Sequence, residues 1–278
     1  MSVEVIAEIG ENHGGDILKA RAMIRHAAWA GADTVKFQSY NEQCIRKDDP
    51  ERDWFLQVAL SDADHLRLKE TAIDSNVKLL SSPFSRERAD FLVKELGLRE
   101  LKIASCMMYN EVFLKHINSL VMDCGLKRVY LSTGMATLSE VQSALGWLCD
   151  VSEIVLMHCV SLYPCPENLV NLEAMERLKV SGDADSMQSY AVGYSDHTIG
   201  IDACVAAVAL GAQVIEKHFT FDKKAKSGTD HVLSADENDL AEMVKRIRKV
   251  EAMLGTGVKE PCKEEIKVKG FMKSRFIV

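Results

Sequence analysis

Glutamate, lysine, histidine and hydroxyl residues gather where short β-branched runs give way to loops, and they do so eight times along the chain. The positions are Glu8, Asn12 and His13; Lys36 and Gln38; Ser81 and Ser82; Lys102 and Ser105; Ser132 and Thr133; His158, Ser161 and Tyr163; Ser195, Asp196 and His197; and Lys217 and His218. Three lysines, Lys36, Lys102 and Lys217, converging with hydroxyls on one mouth suit a small polyanion, because ammonium groups offset phosphate or carboxylate charge and hydroxyls orient it. The expected substrate is a phosphorylated or carboxylated small molecule. Any one of these lysines alone is equally well read as a solvated charge at a strand end. Two imidazoles, His197 and His218, end adjacent strands, so closure of the sheet brings them within reach of one divalent cation, with Asp230 or Glu8 completing or flanking the site. The run Tyr194-Ser195-Asp196-His197 also suits a histidine that orients its loop through hydrogen bonds.

The elements that must position these groups alternate. Strands are expected at Val3–Ile9, Thr34–Gln38, Val77–Ser82, Leu101–Ser105, Val129–Thr133, Ile154–Cys159, Tyr190–Tyr194 and Gln213–His218, and apolar residues spaced three and four apart fill the stretches between them. Helix starts are marked at Ser61-Asp62-Ala63-Asp64, Thr137-Leu138-Ser139-Glu140 and Ser234-Ala235-Asp236-Glu237, where a hydroxyl precedes a carboxylate by three residues. Leu240, Met243, Val244, Ile247, Val250 and Leu254 form one apolar stripe, with Lys245, Arg246, Arg248 and Lys249 facing away. Eight βα units in this length favour a single-domain (β/α)8 TIM barrel over residues 1–258, with residues 259–278 as an extension or linker. Long loops at Ser39–Leu60, Val180–Ser189 and Thr220–Ser234 are expected to be functional. In such a barrel the reacting groups sit at the carboxyl ends of the strands.

The chain has 278 residues, 47% hydrophobic and 27% charged, which excludes disorder and fibre. Thirty-four basic against 41 acidic residues give a net charge of −7, an argument against nucleic acid or anionic membrane as a partner. No apolar run approaches the ~20 residues that span a bilayer and no leader pattern opens the sequence, so a cytoplasmic protein is expected. The eight cysteines include no C-x-x-C pair and are read as reduced, mostly in the core.

Six motifs, in order, resemble the sialic acid (N-acetylneuraminate) synthase family. They are the run from Ile6 to Gly15 (IAEIGENHGG), Gly31 to Gln38 (GADTVKFQ), Lys102 to Ser105 (KIAS), Leu131 to Thr137 (LSTGMAT), Gly193 to Gly200 (GYSDHTIG) and Val214 to Thr220 (VIEKHFT). The likeness spans about residues 3 to 258. It implies a (β/α)8 barrel that condenses phosphoenolpyruvate with an aldose, an N-acylated hexosamine or its 6-phosphate, giving a 2-keto-3-deoxy sugar acid of the nonulosonic type and phosphate. By position it implies that His197 and His218 hold a divalent metal, Mn2+ or Mg2+, which polarises the acceptor aldehyde. Lys36, Lys102, Ser105, Ser132 and Ser195, with Ser82, match residues that hold phosphate and carboxylate; Gln38, Tyr163 and Asp230 match positions facing the sugar. Glu8 matches a base for the water that attacks C2. A homodimer is implied as well.

Two departures stand out. Many members of that family carry a glutamate where this sequence has Met107, in Lys102-Ile103-Ala104-Ser105-Cys106-Met107, so a different acceptor is expected. Members also commonly continue into a small antifreeze-like domain, near whose start this sequence ends. Two other readings are weighed: a pyruvate aldolase working through a lysine Schiff base, and a non-catalytic barrel subunit that binds phosphoenolpyruvate.

Overall fold

Eight parallel strands hydrogen-bond in the order β3-β2-β1-β8-β7-β6-β5-β4 in a computed structural model, which describes residues 2–179, 189–226 and 230–275. They are β1 (Glu4–Glu8), β2 (Thr34–Ser39), β3 (Lys78–Pro83), β4 (Glu100–Ile103), β5 (Arg128–Ser132), β6 (Glu153–His158), β7 (Ser189–Asp196) and β8 (Val214–His218). Parallel neighbours require a crossover. Helices supply all seven, α1 (Ile17–Trp29), α3 (Asp62–Asp74), α4 (Arg86–Asp90, continued by a π-helical turn to Glu95), α5 (Glu111–Cys124), α6 (Leu138–Trp147), α7 (Ala174–Lys179) and α8 (Asp202–Ala209), and α9 (Glu237–Leu254) follows the last strand. This is the (β/α)8 barrel. The loop Ser39–Leu60 contains a further short helix, α2 (Arg52–Val58), and the segment expected as a linker forms α10 (Lys263–Lys273), none of whose residues is buried. Of the long loops, 180–188 and 227–229 lie outside the described residues.

Capping boxes form as expected at Ser61/Asp64 and Thr137/Glu140. The third helix start is corrected: α9 begins at Glu237, capped by Asp236 with Asp239, while Ser234 Oγ donates to the Asp230 carbonyl and accepts from Asn12 Nδ2 at 3.0 Å. Leu240, Met243 and Ile247 are buried, whereas Leu254 is exposed at the frayed end of the stripe. Arg248 does not face away: its guanidinium donates to the Val3 carbonyl (2.6 Å) and to Asp33 Oδ2 (2.9 Å), tying α9 to β1. Three of the eight thiols, Cys106, Cys149 and Cys262, are exposed rather than in the core.

Because side chains alternate along a strand, the sheet buries two separate sets of residues. The larger set lies between strands and helices; the smaller, Ile6, Leu80, Tyr130, Val155, Met157 and Val214, fills the barrel interior. Below this plug Tyr130 Oη bonds Glu4 and Glu100 at 2.8 Å each, and Arg128 pairs with Glu153, closing the amino end with satisfied charges. Gly193 faces inward at the plug, where an added Cβ would stand 2.8 Å from the Val214 carbonyl oxygen and also strike Met157. Gly193→Ala is therefore expected to cost about 1–3 kcal/mol of stability by overpacking, read from the urea midpoint.

Candidate active site

The next inward residues toward the carboxyl ends are polar, and they surround a cavity of about 420 Å³. Glu8, Lys36, Gln38, Ser82, Lys102, Ser105, Ser132, Tyr163, Ser195, His197, His218 and Asp230 all line it. The loops at Ser39–Leu60 and Thr220–Ser234 contribute Glu51, Trp54, Phe55 and Asp230 to its rim.

At the floor, two buried lysines are interleaved with two buried carboxylates. Lys36 Nζ lies 2.8 Å from Glu8 Oε1, 3.4 Å from Ser82 Oγ and 3.9 Å from Glu216 Oε2. Lys102 Nζ donates to both Glu216 oxygens at 2.7 and 2.8 Å, and Ser195 Oγ donates to Glu216 Oε1 at 2.8 Å. The two carboxyls are driven apart. Burial raises the pKa of Glu8, with Glu216 adding to the rise and Lys36 opposing it. Burial acts upward on Glu216 too, but Lys102 and Lys36 outweigh it and hold that group well below the usual carboxylate range. Such a split between neighbouring carboxyls marks one as a fixed anion and the other as a group able to move a proton. A third acid, Glu11, is pushed up to about 8 by burial and by Glu8, and its Oε2 accepts from Gln38 Nε2 at 3.0 Å.

Both imidazoles are neutral at pH 7, because burial pulls their pKa values down, Lys102 adding a little for His197, Asp230 opposing the fall at His218. The ring centroids are 5.5 Å apart, with Tyr163 4.1 Å from His197 and edge-on to His218. His197 Nδ1–H donates to the Val160 carbonyl at 2.7 Å, which leaves Nε2 with its lone pair free to accept. His218 Nδ1 is buried without a hydrogen-bond partner, 3.5 Å from Asp230 Oδ2. No group of three or more His, Cys, Asp or Glu among the described residues is pre-gathered as a cation cage. Two neutral imidazoles, an orphaned buried nitrogen and a carboxylate nearby nevertheless match the donor chemistry of a divalent ion with open positions.

Several residues at the strand ends face elsewhere, as the two-residue period requires. Lys217 is not the third cation of the mouth; it points to the helix side, where it pairs with Asp196 at 2.6 Å. His158 also faces outward, bonding the Val170 carbonyl and stacking on Tyr194. Asn12 bonds the Phe219 carbonyl at 2.9 Å, His13 Nδ1 accepts from Gly15 N, and Ser81 Oγ donates to the Phe37 carbonyl. Conversely, Glu216 and Glu11 belong to the site and were not singled out from sequence. Glu216 was legible by alternation, lying two residues before His218 and two after Val214.

The rim is divided by chain order. Trp54, Phe55, Phe84, Cys106 and Met135, from the loops after β2 to β5, make a mostly apolar half whose one acid is Glu51; Glu11, Tyr163, Asp230 and the imidazoles, after β6 to β8 and β1, make a polar one. Trp54 and Phe55 meet edge to face at 5.0 Å, and Tyr40 backs both Phe55 and Phe84. Met107 is not at this rim. It packs against the main core while Cys106 faces the cavity, so the expectation that Met107 selects the acceptor is corrected. Met107→Glu should leave the ranking of acceptors unchanged, whereas Cys106→Glu should reorder it in a kcat/KM panel.

A nearly closed parallel barrel with a buried lysine pair, hydroxyls and two neutral imidazoles in its carboxyl-end mouth has the form of a (β/α)8 enzyme. The NeuB family profile matches residues 23–259, and the chain belongs to the NeuB family. It is 41% identical to the N,N'-diacetyllegionaminic acid synthase of Campylobacter jejuni, over 95% of this chain and 80% of that protein. Human N-acetylneuraminate-9-phosphate synthase is 32% identical over 93% of this chain and 73% of its own length. Among solved structures, the sialic acid synthetase of Leptospira borgpetersenii, in complex with citrate, superposes with a TM-score of 0.88 at 35% identity, covering 99% of this chain and 92% of that one. The protein is thus an enzyme of the sialic acid synthase type.

Proposed function

We propose that this enzyme condenses phosphoenolpyruvate with an N-acylhexosamine-like aldose to give a nonulosonic 2-keto-3-deoxy sugar acid and inorganic phosphate. The observation that carries the reading is the buried pair Lys36 and Lys102 among Ser82, Ser105, Ser132 and Ser195, which suits the phosphate and carboxylate of the enol ester. His197, through Nε2, and His218 would hold a divalent cation, Mn2+ or Mg2+, whose Lewis acidity makes the acceptor aldehyde electrophilic. The enol double bond supplies the electron pair for the new bond from C3 to the aldehyde carbon; the aldehyde C=O pair moves onto its oxygen, which takes up a proton to become a hydroxyl, and C2 is left electron-deficient. Glu8 takes a proton from the water that adds at C2. Phosphate then leaves with its bridging oxygen, by C–O cleavage, as the C2 carbonyl forms. Glu216 holds Lys102 and Ser195 toward the enol ester. Burial acts downward on Lys36, but Glu216 and Glu8 outweigh it and keep that group an ammonium. Burial lowers the pKa of Lys102, yet its Nζ is bonded to both Glu216 oxygens, which holds it away from attack on a carbonyl and disfavours a Schiff-base aldolase.

The acceptor enters without a phosphate. Lys36 and Lys102 are the cations among the described lining residues, and both lie at the floor; the rim offers aromatic and thioether surface with Glu51 on one side and further acids on the other. Phosphate release should require phosphoenolpyruvate, an aldose and Mn2+ together, with N-acetylmannosamine turned over at least tenfold more efficiently than its 6-phosphate. A reversed ranking would remove the claim about the acceptor alone. Phosphoenolpyruvate binding without turnover over a broad sugar panel would instead favour a non-catalytic subunit. The same reading makes the enzyme a cytoplasmic homodimer, the assembly to be checked by sedimentation velocity; among the described residues no helix is long and apolar enough to cross a membrane.

A further inference from the structure

Asp196 and Lys217 form an ion pair on the helix side of β7 and β8, outside the cavity. They are the last paired residues of that ladder, with Nζ 2.6 Å from Oδ2 and neither side chain reached by solvent. Lys217 Nζ also donates to the Thr198 carbonyl at 2.6 Å. Asp196 further accepts from Tyr194 Oη (2.7 Å), Thr198 N (3.0 Å) and Thr198 Oγ1 (3.1 Å), and the Cys204 thiol reaches it at 3.5 Å. A buried ion pair seldom stabilises a fold more than apolar residues of the same volume would, and its best-attested use is to specify one arrangement.

Each partner is followed directly by one imidazole, His197 after Asp196 and His218 after Lys217. By bridging the Asp196 carboxylate and the Thr198 carbonyl, Lys217 clamps the chain on both sides of His197 from the strand that carries His218. The ring of His197 is held at one nitrogen by the Val160 carbonyl, and its backbone carbonyl accepts from Cys165 N at 2.8 Å. His218 has no such hold on its ring nitrogen Nδ1, but its carbonyl accepts from Ala235 N at 2.7 Å. The strand ends are therefore what fixes the distance between the rings.

We propose that the Asp196–Lys217 pair is a positioning device that sets the separation of the His197 and His218 rings and, through it, the affinity of the site for a divalent cation. This rests on the cation reading given above. The test is the double variant Asp196→Leu with Lys217→Met, which removes both charges while keeping apolar volume, in the full chain. Three readouts are taken: Mn2+ binding by calorimetry, phosphoenolpyruvate binding in Mn2+-free buffer, and the histidine side-chain NMR cross-peaks, assigned with His197→Ala and His218→Ala. The expected result is a cooperatively folded protein with unchanged phosphoenolpyruvate affinity, Mn2+ affinity lowered about 10–100-fold, and displaced His197 and His218 cross-peaks. Unchanged Mn2+ affinity together with unmoved cross-peaks would overturn the proposal. A parent enzyme that binds no Mn2+ would sink the cation reading, and the cross-peaks alone would then decide on the positioning role. Should the double variant not fold, Asp196→Asn, which keeps the shape and most acceptor contacts, is judged on the same readouts.

Discussion

Glu8→Gln lowers kcat about 10²–10⁴-fold, the range lost when a positioned general base is removed, and leaves the KM for phosphoenolpyruvate changed far less. The amide keeps the size of the carboxyl and can still accept from Lys36, whose Nζ lies 2.8 Å from Oε1, so the floor stays in place. What is lost is the other oxygen, Oε2, which is buried without a partner and free to receive a proton. The pH profile separates this role from a structural one. Burial raises Glu8, so the base is protonated in acid and becomes competent as the pH climbs, above the ordinary carboxylate range. The kcat profile of the parent should therefore show an acidic limb displaced upward, and the glutamine variant should lack it. A loss of less than tenfold, or a limb that survives, would take the proton-transfer role away from Glu8.

His218→Ala is the second large effect. Mn2+-dependent phosphate release falls by more than about 100-fold, since removing even a group that merely supports a ligand costs 10–100-fold, while thermal unfolding stays cooperative. The ring ends an inward-facing strand beside Asp230 and His197, its Nδ1 makes no hydrogen bond, and it carries no charge at neutral pH, so its removal leaves no ion pair broken. The measurement is turnover after chelation and resupply of Mn2+. Rates equal to those of the parent would mean that this imidazole is not a ligand.

The barrel was legible because βα alternation is a chain-long signal, and each end of every expected strand lies within two residues of the observed one. The polar positions of the mouth were legible for the same reason. What went astray came from treating every polar residue near a strand end as facing inward. Lys217, Asp196 and His158 are odd-numbered steps from their inward neighbours Glu216, Ser195 and Met157, and they face the helices. Counting by twos would have excluded them and admitted Glu216. Met107 was misplaced because Ser105–Met107 is a 3-10 turn, in which the strand period no longer holds and Cys106 is the residue that faces the cavity. Helix α2 was hidden because Trp54 and Phe55 are used at the rim, leaving only Val58 of that helix buried in the core and no apolar stripe to detect.

The strand order begins at β3 and ends at β4, and among the described residues no backbone hydrogen bond joins those two. The cylinder is laced on every boundary but one, and the unlaced boundary is held by side chains, among them the half-exposed Lys78–Glu100 ion pair at 3.7 Å. Main-chain amides on the facing edges of Lys78–Pro83 and Glu100–Ile103 should exchange with deuterated solvent sooner than those of β1 or β8. Under mild denaturant the wall should part there first, making this line the natural place to insert new chain ends in a circularly permuted enzyme.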